Sequence, residues 1–361
     1  MRILIVGPVP PPTNGLSIMT MEAAGVLRRL GHNVDVINTS PSERHRSGDV
    51  SFGRIFGTLQ TLARVRSYLR NHGPVIVYLP AGVSPLGALR DGLLLTRARH
   101  AGCPTVIHIH TSYLPDAVSR FPILLQRWVR GRYRTATLAL SLTHESARRL
   151  PLVGLANVHV VPNFVEVDSS LLTGGTGHGC VFFGNVIEKK GYRQAVMAYA
   201  DLYEHGQMAI PMDVIGHILD SDWRSWWHGA VQSRPWLEGV VRWPGAAPAA
   251  ARLNMLKKFG VLVFPTRYHE GVPLVVLEAA ALGLAVVTTR AGGIEEVFGQ
   301  SLFYVEDPLD INEIGIRILE AQDGASRTDQ IQNAKRIALA HTRKRFAGSL
   351  ADALSLATLR K

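Results

Sequence analysis

Glu270 and Glu278 stand with seven residues between them in HEGVPLVVLEAAALGLAVV (269–287), a stretch otherwise apolar enough to be core. Carboxylates accept hydrogen bonds from hydroxyls, so such a pair could hold two hydroxyl-bearing parts of one ligand, a hexose and a ribose for instance. Pro273 suits the first turn of a helix, where its missing N–H costs nothing, and Gly283 suits the end of that helix. Glu270 then lies just before a helix N-terminus, and Glu278 about two turns inside it. The amides of Gly271, Val272 and Leu274 are left free, with the positive end of the helix dipole behind them, which suits a diphosphate or sugar hydroxyls. The plainer reading makes Glu270 a cap and Glu278 an exposed helical residue. It conflicts with the apolar neighbours of Glu278, which are Val275, Val276, Leu277 and Ala279 to Ala281.

A loop of this kind needs a strand before it and a helix behind it, and the chain repeats that unit throughout. Short apolar runs at 2–7, 33–38, 74–79, 104–110, 136–142 and 157–163 read as buried strands. Helical stretches separate them, the first over 17–31 and stopping at Gly31. A Gly- and Ser-rich break, VDSSLLTGGTGHG (167–179), reads as a linker. The pattern restarts at 180–184, 211–216, 240–245, 260–265 and 284–289. Such alternation implies an α/β chain of two doubly wound parallel-sheet domains, 1–166 and 180–340, with a ligand cleft expected at the C-terminal ends of their strands.

With 361 residues, 47% of them apolar, the chain can fill two cores. Its net charge of +11 is uneven: residues 1–168 hold 19 arginines, no lysine and 9 acidic residues, whereas 169–361 hold 20 basic and 19 acidic ones. A solvated basic surface and an anionic partner (phospholipid, lipid diphosphate or nucleic acid) account for this equally well. Cys103 and Cys180 lack metal-ligand spacing and read as reduced thiols. The opening MRILIVGPVPPPTNG lacks a leader's apolar length and cleavage site, and no apolar run is long enough to span a membrane. The expected location is the cytoplasm, or the inner face of the cell membrane.

Two nucleotide-binding patterns fail. GPVPPPTNG (7–15) lacks G-x-G-x-x-G spacing, the second strand ends at Asn38 rather than an acidic residue, and no G-x-x-x-x-G-K-[ST] occurs. What remains is a loop ending Asn14-Gly15-Leu16-Ser17. Ser17 would serve as the cap of the next helix, and Gly15 would let the backbone approach a ligand closely.

The ordered set resembles the retaining GT-B glycosyltransferases of glycosyltransferase family 4. It comprises the Gly15 loop, the strand-end HIH (108–110), VVPNFVE, FFGNVIEKKG, E-x7-E, and ALGLAVVTTRAGGIEEV, and runs over nearly the whole chain. The resemblance implies two Rossmann-like domains facing a deep interdomain cleft, the first binding acceptor and the second nucleotide sugar. It also implies a helix over 341–361 that packs back on the first domain. By position, Gly15 would lend its backbone to the donor phosphate or sugar, and His110 would face the transferred sugar. His108, deeper on the same face, reads as a satisfied core histidine. Lys190 in EKKG would neutralise the diphosphate, and Glu270 would contact the sugar and the reaction centre. Gly271, Val272, Pro273 and Leu274 would bind sugar and phosphate through their backbone, and Glu278 would hold the ribose. Asn185 stands where the family usually has arginine, which throws more of the phosphate charge onto Lys190, with Lys189 or Arg267 as helpers.

The implied reaction moves a hexosyl unit, with retention, from a nucleotide diphosphate sugar to a glycan or lipid-linked acceptor in cell-surface polysaccharide or glycolipid synthesis. Negative charge grows on the diphosphate as the glycosidic bond breaks, and a lysine with helix-terminal amides can stabilise it without a metal or cofactor. Asp220-Ser221-Asp222 spells a metal-binding D-x-D triplet, but its place before WRSWWHGAV favours helix capping by Asp222. Trp223, Trp226 and Trp227 fall at helical spacing and read as a packed face. Segments 53–73 and 119–136 combine helically spaced apolar residues with arginines, the second adding Trp128 and Tyr133. They read equally as core-facing helices and as contacts with an anionic membrane. Two other classes stay open: a nucleotide-sugar epimerase or hydrolase of the same fold, and a basic nucleic-acid-binding protein. No nucleic-acid module accompanies the charge, so no nucleic-acid partner is expected.

Overall fold

The computed structural model describes residues 1–11, 13–40, 52–173, 177–268 and 270–359. The chain divides into two compact units. The first comprises Met1–Asn163, Glu270–Val272 and Arg343–Lys361, and the second Phe164–His269 and Pro273–Thr342.

In the first unit, β1 (Arg2–Gly7), β2 (Asn33–Asn38), β3 (Val75–Pro80), β4 (Thr105–Ile109), β5 (Leu138–Ser141) and β6 (Val158–Val160) form one sheet in the order β2-β1-β3-β4-β5-β6. All pairings are parallel. A parallel sheet is covered on both faces, which is why β3, β4 and β5 are buried at every position and read as unbroken apolar runs. The strand order reverses at β1 and β3, the place where such sheets bind ligands beyond the strand ends. Gly7 ends β1 there, and a Cβ on it would come 2.7 Å from the Pro80 ring at the end of β3.

The first helix begins at Gly15, two residues earlier than expected, because Asn14 rather than Ser17 is its cap. Ser17 is the third helical residue of a capping box: its amide donates to Asn14 Oδ1 at 3.0 Å, and its hydroxyl accepts from Asn14 N at 2.9 Å. The closing helix Arg343–Leu359 packs on this helix and on β4 and β5, with Arg343 Nη2 3.0 Å from Glu22 Oε2.

The two arginine-bearing segments form helices Phe52–Asn71 and Ile123–Tyr133, both packed against helix Pro85–His100. Trp128 and Tyr133 of the second segment are packed into the fold. Tyr133 is fully buried, and Trp128 lies so close to Gly92 that a Cβ there would come 2.5 Å from the indole. Ile55, Phe56, Leu59, Ile123 and Leu124 remain exposed, with Arg64, Arg66, Arg127 and Arg134 among them.

In the second unit, β7 (Cys180–Phe183), β8 (Met212–Ile215), β9 (Val241–Gly245), β10 (Val261–Phe264), β11 (Ala285–Thr288) and β12 (Phe303–Tyr304) form a second parallel sheet. Its order is β12-β11-β10-β7-β8-β9, with the reversal at β7 and β10. The two-residue β12 is too short to show any periodicity and was not expected. Ahead of β7, a short helix, Ser169–Leu172, occupies part of the Gly- and Ser-rich stretch, capped where Asp168 Oδ1 accepts from Ser170 N at 2.9 Å. Residues 174–176 of that stretch lie outside the described residues. Cys103 and Cys180 are both buried free thiols.

Candidate active site

Strand β4 delivers His110, half-buried, just past its last residue. The rings of His108 and His110 lie 4.0 Å apart. His108 is fully buried, its Nδ1 bonded to the Tyr78 hydroxyl. Its Nε2 has the Val161 main chain nearby but makes no hydrogen bond of good geometry, so this core histidine is satisfied on one side only. Burial pulls His110 down to about 4 and holds His108 well below the usual range, with His110 adding to the effect on His108. Both imidazoles are therefore neutral near pH 7.

The tripeptide Glu270–Val272 is laced to this strand end through its backbone. Gly271 N donates to His110 O at 3.2 Å, Ser112 Oγ to Glu270 O at 3.2 Å, and Asn163 Nδ2 to Val272 O at 2.9 Å. Only glycine fits in the middle: a Cβ on Gly271 would come 2.4 Å from Leu142 Cδ1 and 3.0 Å from His110 O. The Gly271 amide is thus engaged inside the protein, contrary to its expected availability to a ligand. The amides of Val272 and Leu274 make no hydrogen bond with any described residue. Pro273 is the N-cap, with φ −60° and ψ 127°, rather than the first helical residue, so helix Leu274–Leu282 starts one residue later than expected. Gly283 closes it at φ 85°. At Gly15, exposed at the start of the first helix, a Cβ would meet no protein atom within 4 Å, so packing does not dictate glycine there.

In the second unit, Glu278 lies along helix Leu274–Leu282 with its side chain 12% exposed. Its Oε2 sits 2.5 Å from Nη2 of Arg252, whose guanidinium lies 5.8 Å from the centre of the Phe183 ring. Burial pushes the Glu278 carboxyl up to about 7, against the opposing pull of Arg252. Arg252 belongs to no motif and lies 26 residues from its partner, so nothing in the sequence marked it.

Lys190 ends the turn Glu188–Lys190 beyond β7, closed by Gly191 at φ 83°. A Cβ on Gly191 would come 2.2 Å from Pro265 O, so the loops after β7 and β10 touch backbone to backbone at the point of reversal. Lys190 Nζ lies 5.7 Å from the ring centres of both Phe264 and Tyr268. Arg267, expected as a helper, directs its guanidinium to Glu188 at 3.1 Å, while Lys189 is exposed. Asn185 is half-buried beside Gly184 in the same loop.

Asp220, not Asp222, does the local work of the D-x-D triplet. It accepts from Tyr192 Oη at 2.7 Å, Arg193 Nη2 at 2.9 Å and Asp222 N at 3.0 Å. Asp222 is at the N-cap position of helix Trp223–Ser233, but its side chain makes no capping bond, and Trp223 N donates to Asp220 O at 3.4 Å. Among the described residues no group of three or more His, Cys, Asp or Glu side chains could hold a metal ion. Trp223 and Trp227 pack edge-on against Trp243 at 5.1 and 5.2 Å, and Trp226 against Tyr192 at 5.1 Å, a packed face. A cavity of about 630 Å³ lined by His178, Pro211, Asp213, Arg242 and Trp243 holds none of these site residues.

Residues 13–169 match the family model of Glycosyltransferase Family 4, and residues 177–321 that of Glycosyl transferases group 1. The fold is similar to that of HepE from Anabaena in complex with UDP and glucose, with a TM-score of 0.72 over 98% of this chain and 100% of that one, at 17% identity. The chain carries the two domains of a GT-B glycosyltransferase. Sucrose-phosphate synthase from Thermosynechococcus elongatus shares this GT-B fold at a TM-score of 0.76 and 15% identity, covering 100% of both chains. O-antigen chain mannosyltransferase B of Escherichia coli is 28% identical over 161 residues, 44% of this chain and 40% of that protein. That match spans less than half the length of the mannosyltransferase. No helix among the described residues is long and apolar enough to cross a membrane.

Proposed function

We propose that this protein is a retaining, metal-independent hexosyltransferase of glycosyltransferase family 4, using a nucleotide diphosphate sugar and a glycan or lipid-linked acceptor. The observation that carries this reading is the set borne by the elements that leave β7 and β10 at their reversal: a lysine and a half-buried asparagine after β7, and an unoccupied helix-start amide and a nearly buried carboxylate after β10. That set matches the parts of a nucleoside diphosphate: Lys190, Asn185 and the Leu274 amide for the phosphates, Glu278 for the ribose. The UDP and glucose bound by HepE, and the mannosyl transfer named for the Escherichia coli relative, support a sugar nucleotide donor and a polysaccharide product.

In this mechanism the bond from the anomeric carbon to the diphosphate oxygen breaks, and its electron pair leaves with the nucleotide. Lys190 and the helix amides stabilise that charge. Glu270 accepts from sugar hydroxyls near the developing cation, and neutral His110 can bond the sugar without adding a repelling charge. Gly15 leaves room for the donor at the start of the first helix. The acceptor oxygen attacks from the face the nucleotide leaves, and its proton passes to the departing phosphate, so configuration is retained.

The test is a thermal-shift screen with UDP, GDP, ADP and their sugars, followed by transfer assays in excess chelator. A nucleotide at about 100 times its Kd should stabilise the fold by about 2.7 kcal/mol. No shift with any of them, or a rate that returns only with added Mg²⁺ or Mn²⁺, defeats the corresponding part of the reading. Turnover of donor without acceptor would make it an epimerase or hydrolase. Salt-sensitive binding to duplex DNA with no nucleotide-sugar binding would place it among nucleic-acid-binding proteins.

On the acceptor side, the exposed Phe56, Leu59 and Leu124 among Arg64, Arg66, Arg127 and Arg134 suit an anionic membrane surface. Reversing those four arginines should weaken co-sedimentation with anionic vesicles by about 1 kcal/mol each and leave nucleotide affinity unchanged. A wild-type protein that ignores such vesicles at low salt takes a soluble acceptor.

A further inference from the structure

Glu278 is set among apolar helix neighbours, and a carboxyl so placed would by itself hold its proton near neutral pH. A carboxylate is the stronger acceptor for two neighbouring hydroxyls, because ionisation strengthens each bond and protonation turns one of its oxygens into a donor. What opposes protonation is one side chain, Arg252, on the helix Arg252–Leu256 that packs against helix Leu274–Leu282. The other elements packed on that helix carry Asp168, Arg327, Asp329, Lys335 and Arg336, and none of these pairs with Glu278. The Arg252 contact is single, Nη2 to Oε2, and no described residue donates to Oε1. The guanidinium is backed by the Phe183 ring at the end of β7, the strand end from which the Asn185 and Lys190 loop departs.

We propose that Arg252 is a positioning residue for donor binding, which takes one oxygen of Glu278 and leaves the other, ionised, for the vicinal hydroxyls of a ribose. Arginine suits the task because it stays charged at every working pH. This inference rests on the reading of the second unit as the nucleotide-binding half.

The test is donor KM and kcat against pH, from about pH 6 to 9, for wild type, Arg252→Gln, Arg252→Lys and Glu278→Gln. In wild type, donor KM should fall as pH rises through about 7 and then level off. In Arg252→Gln the falling limb should move up by about one pH unit or more, giving an approximately tenfold higher KM near neutrality that recovers at high pH. Arg252→Lys should restore the wild-type limb, and Glu278→Gln should abolish it. An Arg252→Gln enzyme whose limb stays in place overturns the inference and leaves the glycosyltransferase reading standing. A wild type that binds no nucleotide overturns both. Should Arg252→Gln fail to fold, the limb persisting in Glu278→Gln would be enough to overturn it.

Discussion

Glu270 and Glu278 belong to one short motif, yet the fold places them in opposite kinds of surroundings. Glu270 is on a tripeptide that belongs to the first unit, fixed by three hydrogen bonds that all involve main-chain atoms of the tripeptide. Glu278 is on a helix of the second unit, and its fixing is through the side chain, by one charged contact to Arg252. Backbone lacing sets where a carboxylate is, while burial and an opposing ion pair set whether it is charged. The difference predicts that disturbing the first region changes the rate of the chemical step and disturbing the second changes affinity for the donor.

The largest effect should come from Glu270→Ala. With the sugar-facing carboxylate gone, transfer should fall about 10³-fold while thermal stability and nucleotide affinity hold. Substantial turnover by a folded variant would remove Glu270 from the reacting centre.

Gly271→Ala should come next. The added Cβ would sit 2.4 Å from Leu142 Cδ1 and 3.0 Å from His110 O, so the tripeptide must shift and carry Glu270 with it. A displacement of this kind costs about 100-fold in kcat. Leu142→Ala in the same chain should return part of the rate, since it removes the nearer obstacle and leaves the carbonyl. Wild-type kcat in Gly271→Ala would show that the lacing does not set the position of Glu270.

The pH dependence of stability separates the two regions by sign. His110 titrates at about 4 in the folded chain against an ordinary 6.5, so below pH 6.5 the unfolded chain binds a proton the folded one refuses. Stability from this group is lost as pH falls from 6.5 towards 4, and His108 acts in the same sense. Glu278 titrates at about 7 against 4.5, so between those values the folded chain holds the extra proton, and this group's contribution declines as pH rises. Each is worth about 2 kcal/mol between pH 7 and pH 5. In urea unfolding from pH 7 to 5, Glu278→Gln should lose stability more steeply than wild type, and His110→Gln less steeply. Three parallel curves would show that neither environment is as the burial implies.

Much of this was legible in the sequence, for physical reasons particular to each part. Strands such as RILIVG and GVLVFP are apolar throughout because a parallel sheet is covered on both sides, so their positions could be read to within a few residues. Glu278 could be picked out because a charge amid aliphatic residues has to be accounted for. Its partner could not, because Arg252 meets it only through the packing of two helices. The Gly271 amide was misjudged for a related reason: local helix geometry leaves it free, and the carbonyl of His110 just past β4, far off in sequence, takes it up. The places of Trp128 and Tyr133 stayed open between core and membrane because composition alone cannot tell an interfacial aromatic from one filling a groove beside Gly92.

The smallest of these effects should follow from Asn163→Ala, and it probes the comparison most closely. Asn163 is buried, and its Nδ2 donates to Val272 O at 2.9 Å, the last of the three bonds on the tripeptide. Removing the amide leaves a buried carbonyl without its donor, which costs about 1–3 kcal/mol. The other two bonds remain, so Glu270 should be loosened rather than displaced, and kcat should fall about tenfold. Asn163→Asp should be worse than alanine, because it brings a carboxylate oxygen against the Val272 carbonyl. Donor KM should stay near the wild-type value in both, the reverse of the pattern expected at Arg252. If instead Asn163→Ala raises donor KM and spares kcat, the tripeptide serves nucleotide binding, and the division of labour between the two glutamates does not hold.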